Sequence, residues 1–160
     1  MKKISIIMGS QSDLETVNEA VKVLKEFKAD FDLKVLSAHR TPRDVAQYVQ
    51  RAPKQGIKVF IAAAGMSAAL AGVVAAHTTL PVIGIPIETK NLKGLDSLLS
   101  TVQMPPGIPV ACMAIGKPGA KNAALLALEI LGINDAKISV KLANYKKQMR
   151  IKIKQTKIKL

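Results

Sequence analysis

Residues 3–27 read KISIIMGSQSDLETVNEAVKVLKEF, and the hydrophobic period changes at the glycine. Up to Met8 the stretch is short, apolar and rich in isoleucine, as a strand is. Beyond it Leu14, Val17, Val21 and Leu24 recur at helical spacing and share one face. Ser12 to Glu15 fits the S-x-x-E capping box of a helix start. The unit is therefore a strand, a glycine-bearing polar turn and a helix.

That unit returns along the chain. The apolar runs KISIIM, FDLKVLS, KVFIAAA, LPVIGIP and IPVACMA alternate with longer segments of helical spacing or helix-start signals, without a linker, low-complexity tract or repeat. Alternation of this kind predicts parallel strands with crossover helices. The expected fold is α/β, three αβα layers around a single doubly wound parallel sheet, flavodoxin-like or Rossmann-like, with a C-terminal helix. The second helix starts with Thr41 as cap, Pro42 at its first position and Asp44 three residues after the cap. A third begins near Ser67 and is rich in alanine and glycine, which permits close packing. The fourth covers GLDSLLSTVQ, and the fifth runs from about Gly119 to Leu131.

Composition narrows the class. A chain of 160 residues that is 49% hydrophobic is the size of one domain with a sizeable core. No stretch approaches the ~18 to 20 apolar residues of a membrane span, and the opening MKKISIIMGS is too short in apolar core for a signal peptide. Cys112, the single cysteine, lies within VACMAI, cannot form an internal disulfide and is expected as a small core residue. A cytoplasmic location is the expectation.

The net charge of +13 suggests nucleic acid until it is mapped. No acid follows Asp135, while Lys137, Lys141, Lys146, Lys147, Arg150, Lys152, Lys154, Lys157 and Lys159 supply nine positive charges, which leaves +4 for residues 1–135. Ile138, Leu142, Tyr145 and Met149 recur in the same tail at helical spacing. Phosphate binding needs a basic face but not this apolar stripe, so nucleic acid is not the expected partner. Residues 1–135 are expected to form a single α/β catalytic domain and residues 136–160 a basic helical extension that packs on the core or a neighbouring subunit. The last stretch, IKIKQTKIKL, alternates apolar and basic residues, and its pattern assigns it no element.

In an open parallel sheet, ligands bind at the carboxyl ends of the strands. Three turns fall there: GSQSD at 9–13, SAHRTP at 37–42 and AAGMSAA at 63–69. Free N–H groups where the first helix begins suit a phosphate or sugar hydroxyls beside Ser10 and Asp13, although Ser12 also serves as a plain helix cap. The turn matches neither G-x-G-x-x-G nor G-x-x-x-x-G-K-[ST], which argues against dinucleotides and nucleoside triphosphates. His39 stands before a helix start beside Arg40, which would draw an anion to the same spot. An imidazole titrates near pH ~6.5 and so exchanges protons at neutral pH. The other histidine, His77, ends an alanine-rich helix and has a structural reading.

Histidines, cysteines and carboxylates lack metal-ligand spacing, GSQSD is no nucleophile elbow, and no metal is expected. A small anionic ligand beside one proton-transferring histidine remains, in an isomerase or a lyase. A nucleotide-binding module without catalysis would use the same turns and leave His39 idle.

The segments MGSQSD, SAHRTP, LPVIGIP, GLDSLLSTVQMPPGIPVA and AIGKPGAKNAALLALEIL resemble the N5-carboxyaminoimidazole ribonucleotide mutase family of purine biosynthesis, the AIR carboxylase catalytic subunit, over about residues 3–132. The resemblance implies a rearrangement without metal, ATP or other cofactor. In it a carboxyl group moves from the exocyclic nitrogen to a ring carbon of an aminoimidazole ribonucleotide. It implies His39 as the acid and base that shuttles the proton, and gives Ser10, Ser12, Asp13 and Arg40 to the ribose phosphate. Ser37 would touch the migrating carboxylate, and the turn at Gly65 would close over it with backbone N–H groups. A homo-oligomer, commonly an octamer with shared sites, is implied as well. The chain departs from the family's third loop, AGGAAHLPG, by placing Ala69 at the histidine position. A histidine-free loop also occurs in the related class that carboxylates aminoimidazole ribonucleotide directly with CO2, which typically has lysine where this chain has Arg40. SAHRTP and VQMPPGIPVA favour the mutase.

Overall fold

The first strand, β1 (Ile4–Met8), is buried along its whole length, as a strand covered on both faces must be. The computed structural model describes residues 3–156 and Ile158; Lys157 and Lys159 of the basic tail lie outside the described residues. The remaining strands are β2 (Phe31–Val35), β3 (Val59–Ala64), β4 (Val82–Pro86) and β5 (Ala111–Cys112), all parallel, in the order β2-β1-β3-β4-β5. This is a doubly wound, flavodoxin-like α/β sheet whose winding direction switches between β1 and β3.

Helices α1 (Leu14–Glu26), α2 (Pro42–Arg51), α3 (Leu70–Ala76), α4 (Leu95–Val102) and α5 (Gly116–Gly132) follow the strands in turn, and α6 (Ala136–Gln155) follows α5. Val17, Ala20, Val21 and Leu24 of α1 are buried against the sheet, with Leu14 only half-buried. On the other face Val45 and Val49 of α2 and Leu70, Ala71 and Val74 of α3 pack with Ile7, Phe60 and Ala62. A polar group of β1 also enters this layer. Ser5 of β1 is fully buried and meets Tyr48 Oη at 2.7 Å, and Tyr48 donates to Asp32 Oδ2 at 2.9 Å. Burial, aided by Asp32, pushes the Tyr48 phenol up to about 12, so it stays a neutral donor that ties α2 to β1 and β2.

Five local expectations change. The capping box belongs to Ser10 and Asp13: Ser12 N donates to Ser10 Oγ at 3.3 Å, and Ser10 N donates to Asp13 Oδ2 at 3.1 Å. A single 3-10 turn, Gln11–Asp13, therefore precedes α1, and Glu15 is left to pair with Lys117 Nζ at 2.6 Å. Thr41 precedes α2 without capping it, because its hydroxyl turns back to Ser37 O at 3.2 Å and accepts from Ser37 N at 3.0 Å. The third helix begins at Leu70 rather than near Ser67, since Ala68 N and Ala69 N bond Met66 O and Ser67 O in a tight turn. The run IPVACMA yields only the two residues of β5, on the sheet edge. Pro105, Pro106 and Pro109 just before it cannot donate to a ladder. Cys112 is accordingly half-buried rather than core, and burial raises its thiol above the usual range.

Two compact units make up the chain, Met1–Ala127 and Leu128–Leu160. Within the second, Asp135 caps α6 by accepting from Lys137 N and Ile138 N at 3.1 and 3.3 Å. Lys146 Nζ pairs with Glu129 Oε1 at 2.7 Å. The alternating IKIKQ does not leave the helix, which runs on to Gln155. Once nucleated, adding one residue costs less than starting another element. Among the described residues no helix is long and apolar enough to cross a membrane.

Candidate active site

Register builds the site before any side chain does. Met8 of β1 pairs with Val35 on one side and Ala63 on the other, so the turns after β1, β2 and β3 leave the sheet at one level. Gly9 N donates to Ala63 O and Leu36 N to Met8 O, both at 3.0 Å, which holds the three turns side by side. Ser10, Ser12, Asp13, His39, Arg40 and Gly65 all lie on this rim, at the switch point.

Arg40 binds the second turn to the first. Its Nη2 donates to Gly9 O at 2.9 Å, while its backbone N and Nε donate to Ser37 Oγ at 3.2 and 3.4 Å. The Ser37 hydroxyl thus accepts from Arg40 and keeps its own proton to donate outward. In the first turn Ser12 Oγ lies 2.9 Å from Ser10 Oγ and 3.3 Å from Asp13 Oδ1 and directs its one proton there. His39 is exposed, and its imidazole takes no hydrogen bond from the described residues. Both ring nitrogens are open to a ligand. His77, by contrast, ends α3 at the far edge of the sheet, beside a cavity of about 690 Å3 that none of the rim residues line.

Asp13 is the electrostatic outlier. Only 6% exposed, its carboxyl is pushed above the usual range by burial, against the opposing pull of Ser10 N–H, the Ser12 hydroxyl, the Arg40 charge and Gly9 N–H. The folded state therefore holds its proton more tightly than the unfolded chain, and native stability falls as pH rises through the window from 3.8 to the raised value. Asp13→Asn retains the acceptor for Ser10 N but cannot ionise. Its urea-unfolding free energy should gain on the wild type across that acid window and run parallel to it at neutral pH. Parallel curves throughout would show that Asp13 titrates normally.

Sequence reasoning did not foresee three parts of the rim. The Gly9 carbonyl is the anchor of Arg40. A fourth turn, after β4, brings Thr89 against the third: a Cβ on Gly65 would sit 3.3 Å from Thr89 Cγ2 and 3.5 Å from Ile87 Cβ. Thr89 in turn donates to Asp96 at 3.0 Å. The polar ETKN after LPVIGIP was the available signal for it. Third, a cleft of about 620 Å3 opens beside Ser12, edged by Thr89, Lys90, Lys93 and Lys117. Among the described residues no group of three or more histidines, cysteines or carboxylates could hold a metal.

A family model described as AIR carboxylase matches residues 3–152. The chain is 57% identical over 150 residues to a Pyrococcus abyssi protein named N5-carboxyaminoimidazole ribonucleotide mutase, covering 94% of this chain and 85% of that one. A protein of the same name from Saccharolobus solfataricus is 53% identical over 158 residues, 99% of each chain. The crystal structure of Treponema denticola PurE aligns with a TM-score of 0.87 at 29% identity, covering 96% of this chain and 94% of that one.

Proposed function

The chain belongs to the AIR carboxylase family, and from that premise we propose that it is a mutase of purine biosynthesis, converting N5-carboxyaminoimidazole ribonucleotide to 4-carboxy-5-aminoimidazole ribonucleotide. The observation that carries the site assignment is the bond from Arg40 Nη2 to Gly9 O, which supports one pocket formed by the first two turns. In it Ser10, Ser12, Asp13 and Arg40 hold the ribose phosphate, Arg40 exchanging its carbonyl for phosphate oxygens. His39 gives its proton to the exocyclic nitrogen as the bond from nitrogen to the carboxyl carbon breaks and CO2 forms. The ring carbon attacks that CO2, and His39 takes back the proton that the ring carbon loses. Atoms and protons balance, so no cofactor is required. The Ser37 hydroxyl donates to the migrating carboxylate, and the turn at Gly65 closes over it.

Incubating the protein with 4-carboxy-5-aminoimidazole ribonucleotide should produce the carbamate isomer at a rate indifferent to bicarbonate. Ala69 favours a second reading, direct carboxylation of aminoimidazole ribonucleotide, under which the same incubation would yield aminoimidazole ribonucleotide and CO2 and no carbamate isomer. A cytoplasmic setting and a homo-oligomer, an octamer, complete the proposal. The exposed Leu95, Leu99 and Val102 share one face of α4 and support a subunit contact, as does the basic extension at 136–160. A native mass equal to one chain would remove the oligomer.

A further inference from the structure

Thr89, in the turn after β4, reaches two other turns of the rim. A Cβ on Gly65 would sit 3.3 Å from Thr89 Cγ2, so the threonine methyl fills the space where a side chain of the third turn would project. Thr89 also lines the cleft of about 620 Å3 together with Ser12 of the first turn. A threonine carries its hydroxyl and methyl on one Cβ, so whatever fixes the hydroxyl fixes the methyl. Here the hydroxyl shares its proton between the two oxygens of Asp96, at 3.0 Å to Oδ1 and 3.1 Å to Oδ2. Asp96 is held in turn. It lies in the first turn of α4, where a carboxylate complements the helix dipole. The next residue, Ser97, is fully buried and donates to Ile87 O at 2.7 Å and to Gly94 O at 2.9 Å, which joins the end of β4 to the start of α4. Ile87 N then donates to Ala64 O at 2.9 Å, one residue before Gly65.

Stability alone is a weak reason for this pair. Thr89 and Asp96 are both half-buried, and water would satisfy either one at little cost. The third turn supplies a stronger reason. Its task is to bring backbone N–H groups over the migrating carboxylate, and such donors work at about 2.7–3.1 Å from the charge they stabilise. Glycine has no side chain with which to hold its own position, so the height of the turn is set by what it rests on. A misplacement of about 1 Å at such a point costs as much as ~100-fold in rate.

We propose that Thr89 and Asp96 are positioning residues of the carboxyl transfer: the bond between them turns the Thr89 methyl against Gly65 and so sets the N–H groups of the third turn over the carboxylate. The inference rests on the mutase reading of the site. Neither residue touches the reacting atoms; both act through Gly65.

The test measures steady-state conversion of 4-carboxy-5-aminoimidazole ribonucleotide and thermal unfolding for wild type and five variants. Asp96→Ala releases the Thr89 hydroxyl and should lower kcat about tenfold, with KM within about twofold because the phosphate contacts belong to the first two turns. Asp96→Asn still offers an oxygen to the hydroxyl and should recover most of that loss. Thr89→Ser keeps the bond and removes the methyl, while Gly65→Ala pushes a new methyl against the old one; each alone should lower kcat. Combining Gly65→Ala with Thr89→Ser passes the methyl from one side of the contact to the other and should restore much of the rate, a non-additivity expected only of groups that touch. An Asp96→Ala protein with wild-type kcat and a lowered melting temperature overturns the inference, since the bond would then serve the fold alone. A rise in KM at unchanged kcat overturns it too, as do losses that simply add in the double variant. A wild-type protein that forms no carbamate isomer removes the mutase reading itself, and the inference with it.

Discussion

Replacing His39 with asparagine is expected to lower kcat by about 10²- to 10⁴-fold, the usual worth of one well-placed general acid and base. Asparagine retains hydrogen-bonding capacity and loses titration, so it isolates proton transfer from contact. The fold should not register the change. His39 is exposed and bonds none of the described residues, and substitutions at such positions stay within about 0.5 kcal/mol of wild-type stability. Substrate affinity should also hold, because the phosphate and ribose contacts belong to Ser10, Ser12, Asp13 and Arg40. Steady-state kinetics beside a binding titration separates the two quantities. A loss under about tenfold with binding intact would move the proton shuttle to another group. Loss of binding together with rate would make His39 a ligand contact rather than the proton shuttle.

Gly119→Ala should destabilise the protein by about 3 kcal/mol or more, although helix propensity predicts the opposite. Gly119 lies inside α5, where exchanging glycine for alanine in isolation stabilises by about 1 kcal/mol. In this fold a Cβ at 119 would sit 1.6 Å from Ala114 O and 2.7 Å from Ala114 C. Those atoms are backbone, in the link from β5 to α5, and cannot swing away as a flexible side chain would. The link must shift or the first turn of α5 must open, which places the change among the severe overpacking cases. For a chain of this length the melting temperature should drop by about 6–12 °C, read by thermal unfolding. A rise would mean that the link from β5 to α5 yields to the added methyl group without cost. The Lys117 to Glu15 pair sits two residues earlier, so disturbing this turn also disturbs the bridge between the starts of α5 and α1.

Gly119 shows where sequence reasoning reaches its limit. In the sequence it is an ordinary glycine at the head of an alanine-rich helix; its constraint comes from a carbonyl that only the folded chain brings near. Ser12 and Glu15 matched a capping box, and yet Ser10 and Asp13 form it, because both pairs satisfy the local pattern. The choice falls to the geometry in which β1 hands the chain to the turn and to Lys117, which claims Glu15 from 102 positions away. Thr41 likewise had two uses for one hydroxyl, and Ser37 took it. The rim residues were legible for a different reason. Glycine, serine, histidine and arginine directly after an apolar run have few structural explanations, and every such run ends on the same edge of a parallel sheet.

By itself the sequence determined the alternation of strand and helix, the parallel αβα architecture and the edge on which the polar turns gather. These follow from hydrophobic period and chain direction, which are local properties of neighbouring residues. Only the tertiary structure decided that Arg40 reaches Gly9, that burial raises the Asp13 carboxyl above the usual range, that Met66 lies in the left-handed region and that Gly119 admits no methyl group. Each depends on a partner distant along the chain or on solvent excluded by other elements. A linear pattern contains neither until packing brings those atoms within a few ångströms.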